Sequence, residues 1–194
     1  MYNTLNSEQK NWVDSIFAAL TLDEKIGQLV NEHGGNFLLK NAEPVEWLRK
    51  YPVGSLFCGS EVIDVAATKL NAMHSLEQVV TAAALKTPML LSGDFENGIG
   101  GNIDGFTRMP RLMGAAATFE PDDYYRYGHI IGSEARALDI RWAFGPVSDL
   151  NLNRENPVSN IRTAGGVTGV PVGAIGKPLA SVAGCAPACP GGGN

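Results

Sequence analysis

Three short apolar runs constrain this chain more than any other feature: "VGSLFCG" (Val53 to Gly59), "PMLLSGD" (Pro88 to Asp94) and "IRWAFGPVSD" (Ile140 to Asp149). None of them alternates apolar with polar residues, so each has to be buried on both faces. Between them lie segments with helical spacing. Ser60 to Leu85 carries Val62, Val65, Leu70, Met73, Leu76, Val79 and Val80 on one side. A second helix is predicted from Glu120-Pro121-Asp122-Asp123, with proline in the first turn and acids at the positive end of the helix dipole, to about Leu138. Strand and helix in alternation imply a parallel sheet covered on both faces, either doubly wound or closed as an eight-stranded barrel. Ahead of the first run, Ser7 to Ala19 sets Trp12, Val13, Ile16 and Phe17, with Leu20 just beyond, at helical spacing. Thr21-Leu-Asp-Glu24 then reads as a capping box opening a further helix through Ile26, Leu29 and Val30.

In both architectures ligands bind at the carboxyl ends of the strands. Asp94, Glu96 and Asp149 are all expected there. In "GDFENGIGG" the two acids are i and i+2 on extended backbone, so both carboxylates are expected to face one side. A carboxylate pair about 5 to 5.5 Å apart is what a retaining glycosidase uses; a solvated turn with one acid capping the loop is the plain alternative. The glycines match neither nucleotide-binding fingerprint, and two acids would repel a phosphate. "GPVSDLNLNRENPVSNIR" sets Asp149, four asparagines and Arg162 on a loop leaving the last strand. Such groups hydrogen-bond vicinal hydroxyls, although Asn and Pro are also ordinary turn residues and Arg162 has Asp149 as an available partner.

Fifteen basic and twenty acidic residues are interspersed, for a net charge of −5, which argues against nucleic acid or a polybasic membrane contact. The N-terminus shows no signal-peptide pattern and no stretch reaches the roughly 20 apolar residues of a spanning helix, so a cytoplasmic protein is expected. Cys58 reads as a buried, inert thiol, and Cys185 and Cys189 have no further ligands near them for a zinc site. His33, His74 and His129 read as packing residues in helix or loop contexts. No cofactor and no metal are expected. After Thr163 the composition changes: residues 164–194 hold no aromatic side chain, a single charge at Lys177 and nine of the 23 glycines. This stretch is expected to be a disordered tail.

"LTLDEKIGQLV", "VGSLF", "GDFENGIGG" with "GFTRMP", "SEARALDI" and "WAFGPVSDLNLNRENPVSNIRT" follow one another in an order and spacing that resembles the N-terminal barrel domain of glycoside hydrolase family 3, over about Glu8 to Thr163. The resemblance implies a (β/α)8-type barrel, here partial, with its N-terminal strands and helices in residues 1–163. It also implies retaining hydrolysis of terminal β-linked sugars. "GFTRMP" is similar to the branch that removes N-acetylglucosamine, whereas "GGNID" replaces the arginine-bearing segment usual there, which keeps β-glucosidase as the alternative. By position, Asp94 corresponds to a carboxylate that holds hydroxyls of the non-reducing sugar, Arg162 to an arginine that shares this task, and Asp149 to a supporting aspartate. On this resemblance Asp94 and Glu96 are not acid and nucleophile. The Lys-His pair and nucleophile strand of the family do not follow Thr163, so the chain is expected to be truncated, as a change of reading frame would produce, and inactive alone. A non-catalytic sugar-binding or assembly module is the rival reading. The expected partner is a small β-glycoside, and uncovered barrel edges predict self-association.

Overall fold

The computed structural model describes residues 5–34, 41–58, 76–103, 105–147, 149, 151–153 and 155–165. Helix α1 (Ser7–Ala19) and helix α2 (Leu22–Gly27) each open on a full capping box, Asn6 with Gln9 and Thr21 with Glu24. The chain then forms β1 (Asn31–His33), α3 (Pro44–Lys50) and β2 (Ser55–Phe57). The helical residues 76–83 are α4; the rest of the helix expected over 60–85 lies largely outside the described residues. After these come β3 (Leu90–Asp94), α5 (Leu112–Ala116), α6 (Pro121–Ala137) and β4 (Ile140–Phe144).

The four strands form one sheet in the order β1-β2-β3-β4, and every pair is parallel. Leu56, Leu91 and Ile140 stand in register across β2, β3 and β4, and all three are buried. They share one core with Leu48 of α3, Leu76 and Ala83 of α4, and Tyr124, Tyr127, Ile131 and Ala135 of α6. The other face carries His33, Phe57, Trp142 and Phe144, whose rings meet at 5.1 Å (His33 and Phe57), 5.8 Å (Phe57 and Phe144) and 5.0 Å (Trp142 and Phe144). Ser92, fully buried beneath them, donates to the Leu56 carbonyl at 3.2 Å.

Several expectations need correction. Helix α2 ends at Gly27, so Leu29 and Val30 lie beyond it and are exposed, and the chain goes straight into β1. That strand, "NEH", has no apolar residue; pairing with β2 creates it, led in by the Ser55 amide bonding the Val30 carbonyl at 3.3 Å. His33 is therefore a strand residue. The short α3, with proline at its first turn, was not evident in the sequence either. β4 stops at Phe144, because Pro146 has no N–H to offer a ladder. Asp149 consequently lies five positions past the strand end, on an exposed loop, and not at its tip. Helix α1 buries no residue completely; Phe17 is exposed, with the Lys25 ammonium 4.2 Å above its ring. Residues 166–194, most of the expected tail, lie outside the described residues, whereas Thr163 is buried and bridges Val147, and Ala164 packs against the core.

Candidate functional site

Asp94 ends β3, and the glycine-rich turn after it is clamped to the rest of the fold. Phe95 and Ile99 turn inward as buried residues, and Ile99–Gly101 forms a 3-10 turn. "GFTRMP" runs beside it: the Gly100 amide donates to the Thr107 carbonyl at 3.0 Å, and the Met109 amide to the Asn97 carbonyl at 2.9 Å. Glycine is required by two features. Gly98 has a φ of +86°, and a Cβ on Gly100 would lie 2.3 Å from the Phe106 carbonyl oxygen. The amides of Gly98, Gly100 and Gly101 all donate to backbone carbonyls, which removes them as a phosphate cradle.

Helix α6 pins both segments. The Tyr127 hydroxyl donates to the Glu96 carbonyl at 2.7 Å and to the Pro110 carbonyl at 2.9 Å. Glu134 accepts from the Thr107 amide at 3.1 Å and from the Thr107 hydroxyl at 2.6 Å. Nothing in the sequence marked Tyr127 or Glu134 for this role, since both lie on a helix whose periodicity signals only packing.

The two acids of the turn have different surroundings. Glu96 takes a forked contact from Arg162: Nε donates to Oε2 at 2.8 Å and to Oε1 at 3.1 Å, and Nη2 donates to Oε1. Arg111 adds a guanidinium nitrogen 3.7 Å from Oε2. The Arg162 hydrogen bond, with the charges of Arg162 and Arg111, holds the Glu96 carboxyl below its usual range against the opposing effect of burial. Arg162 is correspondingly held above its ordinary value, first by the bond to Glu96. The Asp94 carboxylate has no hydrogen-bond partner among the described residues. Partial burial and the Glu96 charge push its pKa up, with Arg162 working the other way.

The fold thus brings Asp94 and Arg162 into one cluster, with Glu96 between them in function. It corrects two expectations. Arg162 pairs with Glu96, while Asp149 acts on it only through its charge. Glu96, which is only 14% exposed in its side chain, is engaged in that pair and does not share an open pocket with Asp94. Arg111 was missed because its importance depends on reaching Glu96, fifteen positions away, in space. Cys58 is buried and its thiol is pushed up to about 12 by burial, in keeping with an inert residue. His129 is exposed on α6, 3.4 Å from the Ser133 hydroxyl; His74, Cys185 and Cys189 lie outside the described residues.

Residues 21–168 match the family model described as glycosyl hydrolase family 3 N terminal domain. The chain belongs to glycosyl hydrolase family 3. Within the family it is 34% identical over 163 residues to a β-N-acetylglucosaminidase/β-glucosidase of Cellulomonas fimi, covering 84% of this chain and 27% of that protein. Among solved structures it is similar to a family 3 β-N-acetylglucosaminidase from Paenibacillus sp. str. FPU-7, with a TM-score of 0.66, 30% identity, and 85% of this chain matched to 31% of that one. A β-glucoside phosphorylase superposes with a TM-score of 0.72 at 25% identity, over 92% of this chain and 30% of that one. The family 3 match identifies the α/β fold as part of a (β/α)8-type barrel, and the chain spans under a third of the length of these relatives.

Proposed function

We propose that this chain carries part of the sugar-binding floor of a retaining β-glycosidase that releases terminal N-acetylglucosamine or glucose. Asp94 and Arg162 hold hydroxyls of the non-reducing sugar and Asp149 supports them. The observation that carries this reading is the meeting of Arg162 with the β3 tip across 66 residues of chain, beside a carboxylate, Asp94, left without a hydrogen-bond partner among the described residues. An ionised carboxylate accepts from sugar hydroxyls, while guanidinium N–H groups outside the Glu96 fork donate to their oxygens. The rings of Trp142, Phe144 and Phe57 lie on the same sheet face as Asp94 and offer an apolar surface to a pyranose.

The proposal includes that the 194-residue chain alone does not hydrolyse glycosides. Retaining hydrolysis needs a nucleophile and an acid. Glu96 is held by Arg162, and Asp94 is assigned to hydroxyl binding. A cytoplasmic location and self-association through the outer strands β1 and β4 belong to the same reading; no helix among the described residues is long and apolar enough to cross a membrane.

The test is a titration with N-acetylglucosamine and with glucose, read by fluorescence of a variant keeping Trp142 of the three tryptophans, together with an assay on aryl β-glycosides. Saturable binding that is lost in Asp94→Ala, without turnover, is expected. Turnover abolished by Asp94→Ala would overturn the non-hydrolytic assignment, and absence of binding would overturn the sugar site. The rival is a sugar-binding or assembly module with no hydrolytic whole. It predicts that no longer form of the chain gains hydrolysis.

A further inference from the structure

Resting on the sugar-site reading, we infer that Glu96 is a positioning residue: it fixes the Arg162 guanidinium in one orientation and keeps it off Asp94, so that both are presented together to sugar hydroxyls. Three observations carry this. The first is the fork itself. Two nitrogens of Arg162, Nε and Nη2, engage both oxygens of Glu96, a planar match that fixes orientation as well as distance. The Nη1 hydrogens and one Nη2 hydrogen lie outside the fork, on a side chain that is 41% exposed.

The second is that Glu96 is itself immobilised. Phe95 before it is buried, its own carbonyl accepts from Tyr127, and Arg111 bears on Oε2. A mobile carboxylate would hold nothing in place; this one is tied to α6 through its backbone.

The third is the charge arrangement. The groups that bear on Asp94 are Glu96 and Arg162; those that bear on Arg162 are Glu96, Asp94 and Asp149; those that bear on Glu96 are Arg162 and Arg111. Arg162 therefore has a choice of carboxylates, and Glu96 holds it by the better geometry. Once the fork is lost, Asp94 is the next acceptor. A direct Asp94 to Arg162 pair would occupy the groups assigned to the sugar.

Three variants of the full chain test this, Glu96→Gln, Arg162→Lys and the two combined, by two readouts. The first readout is the N-acetylglucosamine dissociation constant; the second is the titration midpoint of the Asp94 carboxyl by carbon NMR. Arg162→Lys keeps every charge but cannot form the fork, so the ammonium moves to Asp94 and the Asp94 midpoint falls. An unchanged or higher midpoint in that variant would overturn the inference. Glu96→Gln weakens sugar affinity about tenfold, although Glu96 touches no sugar, and the double variant is no weaker than Arg162→Lys. Retention of affinity within about twofold in Glu96→Gln, or losses that simply add, would also overturn it. Should the unmodified chain bind no sugar, the function proposed above fails, while the Asp94 midpoint in Arg162→Lys still decides the role of Glu96. That variant also decides the matter if Glu96→Gln does not fold.

Discussion

Asp94 and Glu96 sit two positions apart and are shifted in opposite directions, and the pH dependence of stability follows from that. Glu96 is lowered from its usual value of 4.5, chiefly by the Arg162 hydrogen bond, so its contribution is fully present above that value and is lost as pH falls through the folded pKa. Asp94 is raised from 3.8, chiefly by burial; the folded state holds its proton more tightly, and the ionised form is a liability at neutral pH. Asp94→Asn is therefore expected to raise the urea midpoint at pH 7 while sugar binding is lost. Glu96→Gln should lower the midpoint at pH 7 and flatten the acid limb below about pH 4.5. Both are read from urea unfolding at a series of pH values. At Gly98 the φ of +86° and the Thr107 carbonyl oxygen, 2.4 Å from where a Cβ would be, make Gly98→Ala costly. The backbone alone accounts for about 1–3 kcal/mol, seen in the same unfolding curves.

At the scale of elements, the helices differ in what holds them. α6 buries Tyr124, Tyr127, Ile131 and Ala135 against the sheet, whereas α1 has no fully buried residue and depends on its capping box and partial contacts. Amide exchange is expected to be fast in α1 and slow in α6, reaching global protection only in the latter. In α2, Thr21→Ala removes one half of a reciprocal cap and is expected to cost about 1 kcal/mol. Glu134 on α6 holds "GFTRMP" through a charged acceptor. Glu134→Ala should cost about 1.5–3 kcal/mol and open residues 105–110 to limited proteolysis. Helix α6 was legible from its proline, its acids and its periodicity. Its role as the anchor of the site was not, because an anchoring hydroxyl has no local signature.

For the molecule as a whole, the decisive feature is a parallel sheet whose outer strands, β1 and β4, have no further strand beside them among the described residues. Trp142 is 43% exposed on one of them, and Leu152 and Val158 are exposed on the loop that follows it. An outer strand edge beside exposed apolar side chains favours association. The sedimentation coefficient of the 20.6 kDa chain is expected to rise with concentration, and Trp142→Lys should reduce that rise. A sharp monomer boundary at every concentration would contradict the proposed self-association.

The sequence alone determined the parallel α/β class, the three apolar runs as β2, β3 and β4, helix α6, and the strand tip carrying Asp94, because continuous apolar runs and helical spacing are local properties that burial enforces. The resemblance in motif order pointed to family 3, and the family match agrees. Only the tertiary structure decided that "NEH" is a strand, that β4 ends before Asp149, and that Glu96 pairs with Arg162. The first and last depend on a partner distant along the chain, a backbone ladder supplied by β2 and a guanidinium 66 residues away, whereas β4 ends at a local feature, Pro146, whose effect shows only once the ladder beside it is formed. Spacing along the sequence carries no information about such partners until the helices have packed and brought them within hydrogen-bonding distance.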